Sequence, residues 1–263
     1  MPELPDVEVF KQYLDATSLY KTVENVEVKS SKILGKVSEQ QLRTTLTGYK
    51  FQSTIRYGIY FFVSVEDNFW LTMHFGMTDS VKYFKSMNRE PSHDRLLITF
   101  ANGYHLAYNC QRKLGKVDLT ENVEEFLKDK DLGPDVLDLD FETYEETLQG
   151  RRGTVKYTLM NQHILAGIGN IYSDETLFQT GIHPKTKANN LDGPALKNLF
   201  EKMKKVLKTA IDHRTNTEEF PEDFMIPHRF KRGRRPKCDS EMEQVKVSER
   251  TAYYCPECQK KIS

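Results

Sequence analysis

Between residues 20 and 110 the chain never keeps one apolar pattern for long. Runs rich in Val, Ile, Thr, Tyr and Phe recur, such as FQSTIRYGIYFFVSV, NFWLTMHF and DRLLITFANGYHLAYN. Turn-formers break them, with EDN at 66–68 and ANG at 101–103 reading as hairpin turns. Short β-rich runs joined by tight turns predict an antiparallel sandwich or barrel. The pattern then changes. Residues 118–149 turn acidic, LGPDV at 132–136 interrupts them, and Phe141, Tyr144 and Leu148 follow at helical spacing. Residues 154–213 predict helix in VKYTLMNQHIL, NIYSDETLFQTG and PALKNLFEKMKKVLKTAI. Residues 214–236 are polar and irregular, and the tail from 237 alternates like a small hairpin between cysteines. No internal repeat or low-complexity segment is present.

The chain has 263 residues, 38% of them apolar, with 13 Tyr and 15 Phe, enough to build a core without disulfide staples. No apolar run is long enough to predict a membrane span, and no signal peptide opens the sequence, so the expectation is a cytoplasmic (nucleoid-associated) or nuclear monomer. Net charge is zero, which by itself argues weakly against nucleic acid. The distribution argues the other way. Asp118–Gln149 holds twelve acidic residues and two lysines, whereas HRFKRGRRPK at 228–237 holds six Lys/Arg and no acid. An acidic belt and a basic arm permit a positive face, although charge runs are equally compatible with plain solvated surface.

Three of the four cysteines fall in the last 26 residues, as C-D-S-E and C-P-E-C separated by thirteen residues. Two knuckles on a hairpin place four ligands around zinc and replace a core that so short a segment cannot build. The ligands expected are Cys238, Glu241, Cys255 and Cys258, with His228 or Asp239 as other donors for the fourth position. The competing reading is a metal-free finger packed on Tyr253 and Tyr254. A redox CxxC is disfavoured because no βαβ pattern surrounds it.

LAGIGNIYSDE at 165–175 joins two helical stretches. Gly167 and Gly169 permit a tight turn with exposed amides, and Asn170 is placed to cap a helix starting at Ile171. Such amides attract an anion, and for nucleic acid the anion is a backbone phosphate. The simpler reading is an ordinary packing corner between helices.

Five stretches together resemble the formamidopyrimidine-DNA glycosylase and endonuclease VIII family. They are MPELPDVE at 1–8, HFGM at 74–77, QRKLG at 111–115, NQHILAGIGNIYSDE at 161–175 and RTAYYCPECQKK at 250–261. They occur in the family's order across nearly the whole chain, and PELP is closer to the formamidopyrimidine branch. The resemblance implies an α+β multidomain fold: an N-terminal antiparallel β-sandwich at 1–131, a helix–two-turn–helix domain at 132–225 and a C-terminal β-hairpin zinc finger at 226–263.

It also implies roles. Removal of Met1 would leave Pro2 with a free secondary amine, neutral in part at physiological pH, to attack the sugar C1′ of a damaged nucleotide. Glu3 would carry protons. Met77, Arg112 and Leu114 would fill the gap left by the flipped nucleotide, although Met77 and Leu114 taken alone would be assigned to the core. His74, Lys113, Gly169, Asn170 and Arg250 would hold phosphates, and Lys156 would add another phosphate contact. Arg229, Lys231 and Arg232 would lie near the lesion-facing loop and the finger. The activity implied is a bifunctional glycosylase and abasic-site lyase acting on oxidised bases in damaged double-stranded DNA.

Four positions depart from the family pattern. Ile59 stands where members carry a lysine in the strand before HFGM. Leu114 replaces an aromatic wedge, Asp6 replaces Glu in ELPE, and Glu241 replaces a cysteine. A DNA-binding module that has lost efficient chemistry is the second reading, and a zinc-stabilised RNA or ribosome binder the third.

Overall fold

The computed structural model describes residues 1–66, 69–230, 233, 238 and 240–262. The chain divides into two compact units, one of Met1–Pro2 with Asp6–Asp131 and one of Glu3–Pro5 with Leu132–Ser263.

In the first unit eight strands form two four-stranded antiparallel sheets. One has the order β1 (Val23–Val28), β6 (Asp94–Phe100), β7 (His105–Asn109), β5 (Ser80–Phe84). The other has the order β2 (Phe51–Tyr57), β3 (Tyr60–Val65), β4 (Phe69–His74), β8 (Lys116–Thr120). Alternation sets the faces: Phe61, Val63, Leu71 and Met73 from one sheet join Val26, Ile98, Phe100 and Leu106 from the other in a single core. Phe62 is buried too, but on the opposite face. It meets Phe126 of α3 (Val123–Asp129) edge-on at 5.4 Å, which explains an uninterrupted YFFV in a strand. The ANG turn connects β6 and β7, with Gly103 at φ 76°. EDN is described only at Glu66, since 67 and 68 lie outside the described residues.

The second unit carries α4 (Phe141–Leu148), α5 (Val155–Met160), α6 (Asn170–Thr180) and α7 (Gly193–Asp212). Asp140 caps α4 by accepting from Thr143 N, and Tyr144 and Leu148 are buried as their spacing predicts. On α7, Leu199, Met203, Val206, Leu207 and Ala210 form one apolar stripe. The tail is an antiparallel hairpin of β9 (Glu243–Val247) and β10 (Arg250–Tyr254), closed by Ser248 and Glu249, both at positive φ. Met225, Met242, Cys255 and Phe178 make the small core that seats it on α6. Among the described residues no helix is long and apolar enough to cross a membrane.

Candidate active site and nucleic-acid contacts

The glycine turn before α6 does gather an anion, but the anion belongs to the chain itself. The Glu3 carboxylate accepts from Gly169 N at 2.8 Å, Ile171 N at 2.7 Å and Tyr172 N at 3.1 Å. These are charge-assisted bonds at the positive end of a helix. Glu3 is 2% exposed, and Leu4 N is fixed on Gly167 O at 2.9 Å. Both glycines are required by this fit. A Cβ on Gly169 would run into the Glu3 carboxyl carbon, and one on Gly167, at φ +120°, would come within 2.5 Å of Leu4 Cδ1. Gln162 braces the turn, accepting from Gly167 N and donating to Ile168 O. The expectation that the Gly169 amide grips a phosphate is therefore corrected: it is spent on Glu3. Asn170 is not the cap either. Gly169 occupies that position, and Asn170 is the first helical residue. Its amide reaches across to the hairpin, Nδ2 donating to Thr251 O at 3.1 Å. Thr251 directly follows exposed Arg250 in β10.

Lys156 is likewise corrected as a direct phosphate ligand. It is 0% exposed, and its three donors go to Asp174 Oδ1 at 2.6 Å, Ser173 Oγ at 2.8 Å and Asn170 O at 3.1 Å. Burial pushes its pKa down, while Asp174 pulls it back up. Asp174 also accepts from Arg229 Nε at 2.9 Å and Tyr253 N at 3.1 Å, so one buried carboxylate ties α5, α6 and the hairpin together. Arg229 lies over the Tyr253 ring at 4.7 Å. Lys231 and Arg232 lie outside the described residues. Glu175 turns the other way, accepting from Ile226 N and Gln179, with burial pushing its pKa up to about 7. Sequence reading singled out neither acid: nothing in NIYSDE distinguishes a buried hub from two polar residues on a solvated helix face.

In the first unit, the loops following β4 and β7 come together. A Cβ on Gly76 would meet Gly115 N at 2.8 Å, and Gly76 N donates to Asp79 Oδ2 at 2.6 Å. Tyr108 Oη donates to His74 O at 2.7 Å beneath them. On this base Met77 and Leu114 stand 43% and 50% exposed, with Arg112 Nη1 2.8 Å from Met77 Sδ. Neither Met77 nor Leu114 is core. Lys113, between Arg112 and Leu114, has φ 55°, a left-handed conformation that a lysine adopts at some cost. The half-buried His74 ring lies against Tyr60, 5.1 Å between centroids, and burial lowers its pKa. Ile59 is buried in the two-residue turn between β2 and β3, not within a strand. Strand alternation therefore does not relate it to Arg56, whose guanidinium is bound to Glu8 at 2.9 Å.

In the tail, the sulfurs of Cys238, Cys255 and Cys258 lie within 4.8 Å of one another, a set able to hold a metal. Glu241 is exposed and is not gathered with them, nor is His228; Asp239 lies outside the described residues. The group on the sulfurs is Ser240, whose Oγ is 2.9 Å from Cys238 Sγ and 3.1 Å from Cys255 Sγ. The structure therefore gathers three of the four expected ligands, and Glu241 is not among them.

Comparison with known proteins fits this geometry. Residues 1–117 match the formamidopyrimidine-DNA glycosylase N-terminal domain, and 132–221 the H2TH domain of the same enzymes. The Geobacter metallireducens formamidopyrimidine-DNA glycosylase is 31% identical over 271 residues, covering 98% of this chain and 100% of that one. This chain belongs to the formamidopyrimidine-DNA glycosylase family. The Haemophilus influenzae enzyme of the family is also 31% identical, over 99% of this chain and 100% of its own. Among solved structures, MutM in complex with DNA containing carbocyclic 8-oxo-G superposes with a TM-score of 0.89 at 28% identity, covering 99% of this chain and 100% of that one. The Lactococcus lactis Fpg with abasic-site DNA gives 0.89 at 26%, over 98% of this chain and 100% of that one.

Proposed function

We propose that this glycosylase of base excision repair works on damaged duplex DNA as a bifunctional enzyme, removing oxidised bases such as 8-oxoguanine and formamidopyrimidines and then cutting the abasic strand. Pro2, freed by removal of Met1, is the nucleophile. Its amine attacks C1′, and the C1′–base bond breaks with its electron pair leaving on the base, which takes up the amine proton. The nitrogen lone pair then forms the iminium as the C1′–O4′ bond breaks and O4′ is protonated to a hydroxyl. The iminium accepts the electrons released when a C2′ proton is removed, and the 3′ phosphate departs. Glu3, the next residue, carries protons in these steps. The observation that carries this reading is the Glu3 carboxylate seated on three backbone amides, with Gly169 kept bare to admit it and Gly167 bare against Leu4. That seat fixes the group to within hydrogen-bond tolerance before any substrate arrives.

Met77, Arg112 and Leu114 act as the wedge, and His74, Lys113, Asn170 and Arg250 as phosphate ligands. Lys156 acts indirectly, holding Asn170 and α6 in place. The division into catalytic segment 1–131, helical segment 132–225 and finger 226–263 is part of the same proposal. The tail metal is zinc, held by Cys238, Cys255 and Cys258, with the Ser240 hydroxyl beside them. The donor set fits: three clustered thiols suit a soft-tolerant, tetrahedral ion. Bound there, zinc supplies folding energy, not chemistry.

Ile59 favours a weakened form of this activity. A cation at the β2–β3 turn would offer a charged hydrogen bond worth roughly 1.5–3 kcal/mol, which isoleucine cannot supply. Incubation with oligonucleotides bearing either 8-oxoguanine or a preformed abasic site tests both readings. Strand cutting at the abasic site with slower base release, and base release accelerated about tenfold or more by Ile59→Lys, is expected. Tight binding with no cutting of either substrate would establish the binding module instead.

A further inference from the structure

A second basic feature of the second unit takes no part in the roles assigned above. Four lysines from three separate segments, Lys185, Lys187, Lys246 and Lys261, line one cavity of about 430 Å³. The rest of its wall is Gly153, Thr154, Tyr157, Val247 and Ser248, which adds three hydroxyls and no carboxylate. All four lysines are exposed, and none has an ion-pair partner among the described residues. Lys246 Nζ makes one hydrogen bond, to Thr251 Oγ1 at 2.8 Å.

The segments at 153–155, 183–188 and 260–261 are fixed to one another through their backbones, and the hairpin is tied to α6 by Asn170 Nδ2 donating to Thr251 O and Tyr253 N donating to Asp174. Val155 N donates to Thr186 O at 2.8 Å, Ala188 N to Gly153 O at 2.9 Å, and His183 N to Lys260 O at 3.0 Å. The convergence is therefore built into the fold and does not depend on where flexible side chains happen to point. Its field reaches neighbouring groups: the pKa of His183 is lowered by burial first, then by Lys261 and Lys185. Four like charges around one cavity, with no acid in its wall, repel one another and need a counter-charge.

We infer that this cavity is an additional phosphate site that holds the backbone of the bound duplex away from the lesion. Lysine ammoniums and hydroxyls without base-reading geometry suit a phosphodiester, which carries one delocalised negative charge and accepts from several donors at once. DNA is the source favoured by continuity. Val247 and Ser248 form the cavity wall, and Val247 pairs directly with Arg250 across the hairpin. A strand held by Arg250 continues past this wall. The inference rests on the proposed reading of Arg250 and extends it.

The test uses full-length protein and duplexes with a tetrahydrofuran abasic analogue, lengthened stepwise on either side of the lesion. Affinity is measured across a salt series for the wild type and for Lys185→Gln/Lys187→Gln/Lys261→Gln. Lys197→Gln/Lys205→Gln/Lys208→Gln on α7, which removes the same three charges, controls for net charge, and thermal melts control for folding. On the shortest duplex the triple variant should match the wild type. Beyond a threshold length on one side, it should bind at least tenfold more weakly, with a salt slope shallower by about one to two. The α7 variant should show no such length threshold. Equal affinities and slopes at every length would overturn the inference while leaving the glycosylase reading intact. A wild type with no preference for lesion-bearing duplex would instead overturn that reading.

Discussion

The turn at 165–172 and the paired loops at 74–79 and 110–115 carry the same sequence signal: glycines beside polar residues, at the end of a regular element. They end in opposite states. In the turn, the amides are filled by Glu3, and the adjoining lysine is consumed by Asp174, Ser173 and Asn170 O. In the loops, Asp79 Oδ2 accepts from Gly76 N and Tyr108 Oη donates to His74 O underneath, and large side chains are left out in solvent. Glycine thus serves two purposes. In the turn it admits the Glu3 carboxylate; in the loops it lets two backbones approach so that Met77 and Leu114 stand exposed above them.

The largest expected effect lies in the turn. Glu3→Gln should lower base excision by about 10²- to 10⁴-fold while duplex affinity stays near wild type. Gly169→Ala should reproduce most of that loss, because the new methyl displaces the Glu3 carboxyl group. Single-turnover kinetics beside a binding titration separate the two quantities. If Gly169→Ala abolishes duplex binding but keeps excision at saturating enzyme, the amides hold phosphate after all, and the contrast between the two regions collapses.

Next in size is the buried pair beneath the turn. Lys156→Met removes one of the two cations on buried Asp174, leaving Arg229, and should cost roughly 3 kcal/mol, the low end for breaking a buried pair, read by denaturant unfolding. A loss of only a few tenths of a kcal/mol, with a reduced salt slope for DNA, would mark Lys156 as an accessible phosphate ligand.

The loops should give the mirror image. Met77→Ala with Leu114→Ala should leave stability within about 0.5 kcal/mol, since both side chains are exposed. Binding to lesion-bearing duplex should weaken about tenfold, with little change for undamaged duplex. A large fall in melting temperature would return both residues to the core.

These two regions also show what sequence could carry. The change from β-rich runs to helical spacing was legible, because period-2 and period-3.6 patterns are properties of neighbouring residues. Phe141, Tyr144 and Leu148 fell on one buried face accordingly. Three thiols were legible as a cluster, but that Glu241 would stay outside it was not, since one residue of register depends on how the chain enters the knuckle. Partners across long sequence separations were not legible either. Glu3 and Gly169 are 166 positions apart, and Asp174 and Tyr253 are 79 apart. LAGIGN announces available amides without saying which anion takes them.

The central claim is that the chain's second residue does the covalent chemistry beside a carboxylate held in that turn. Borohydride trapping on an abasic-site duplex, followed by digestion and mass mapping of the adduct, tests it directly. A reduced sugar adduct on an N-terminal peptide that begins with Pro2 is predicted, and Pro2→Gly should lose most base excision. An adduct on an internal lysine, or strand cutting by protein that retains Met1, would contradict it.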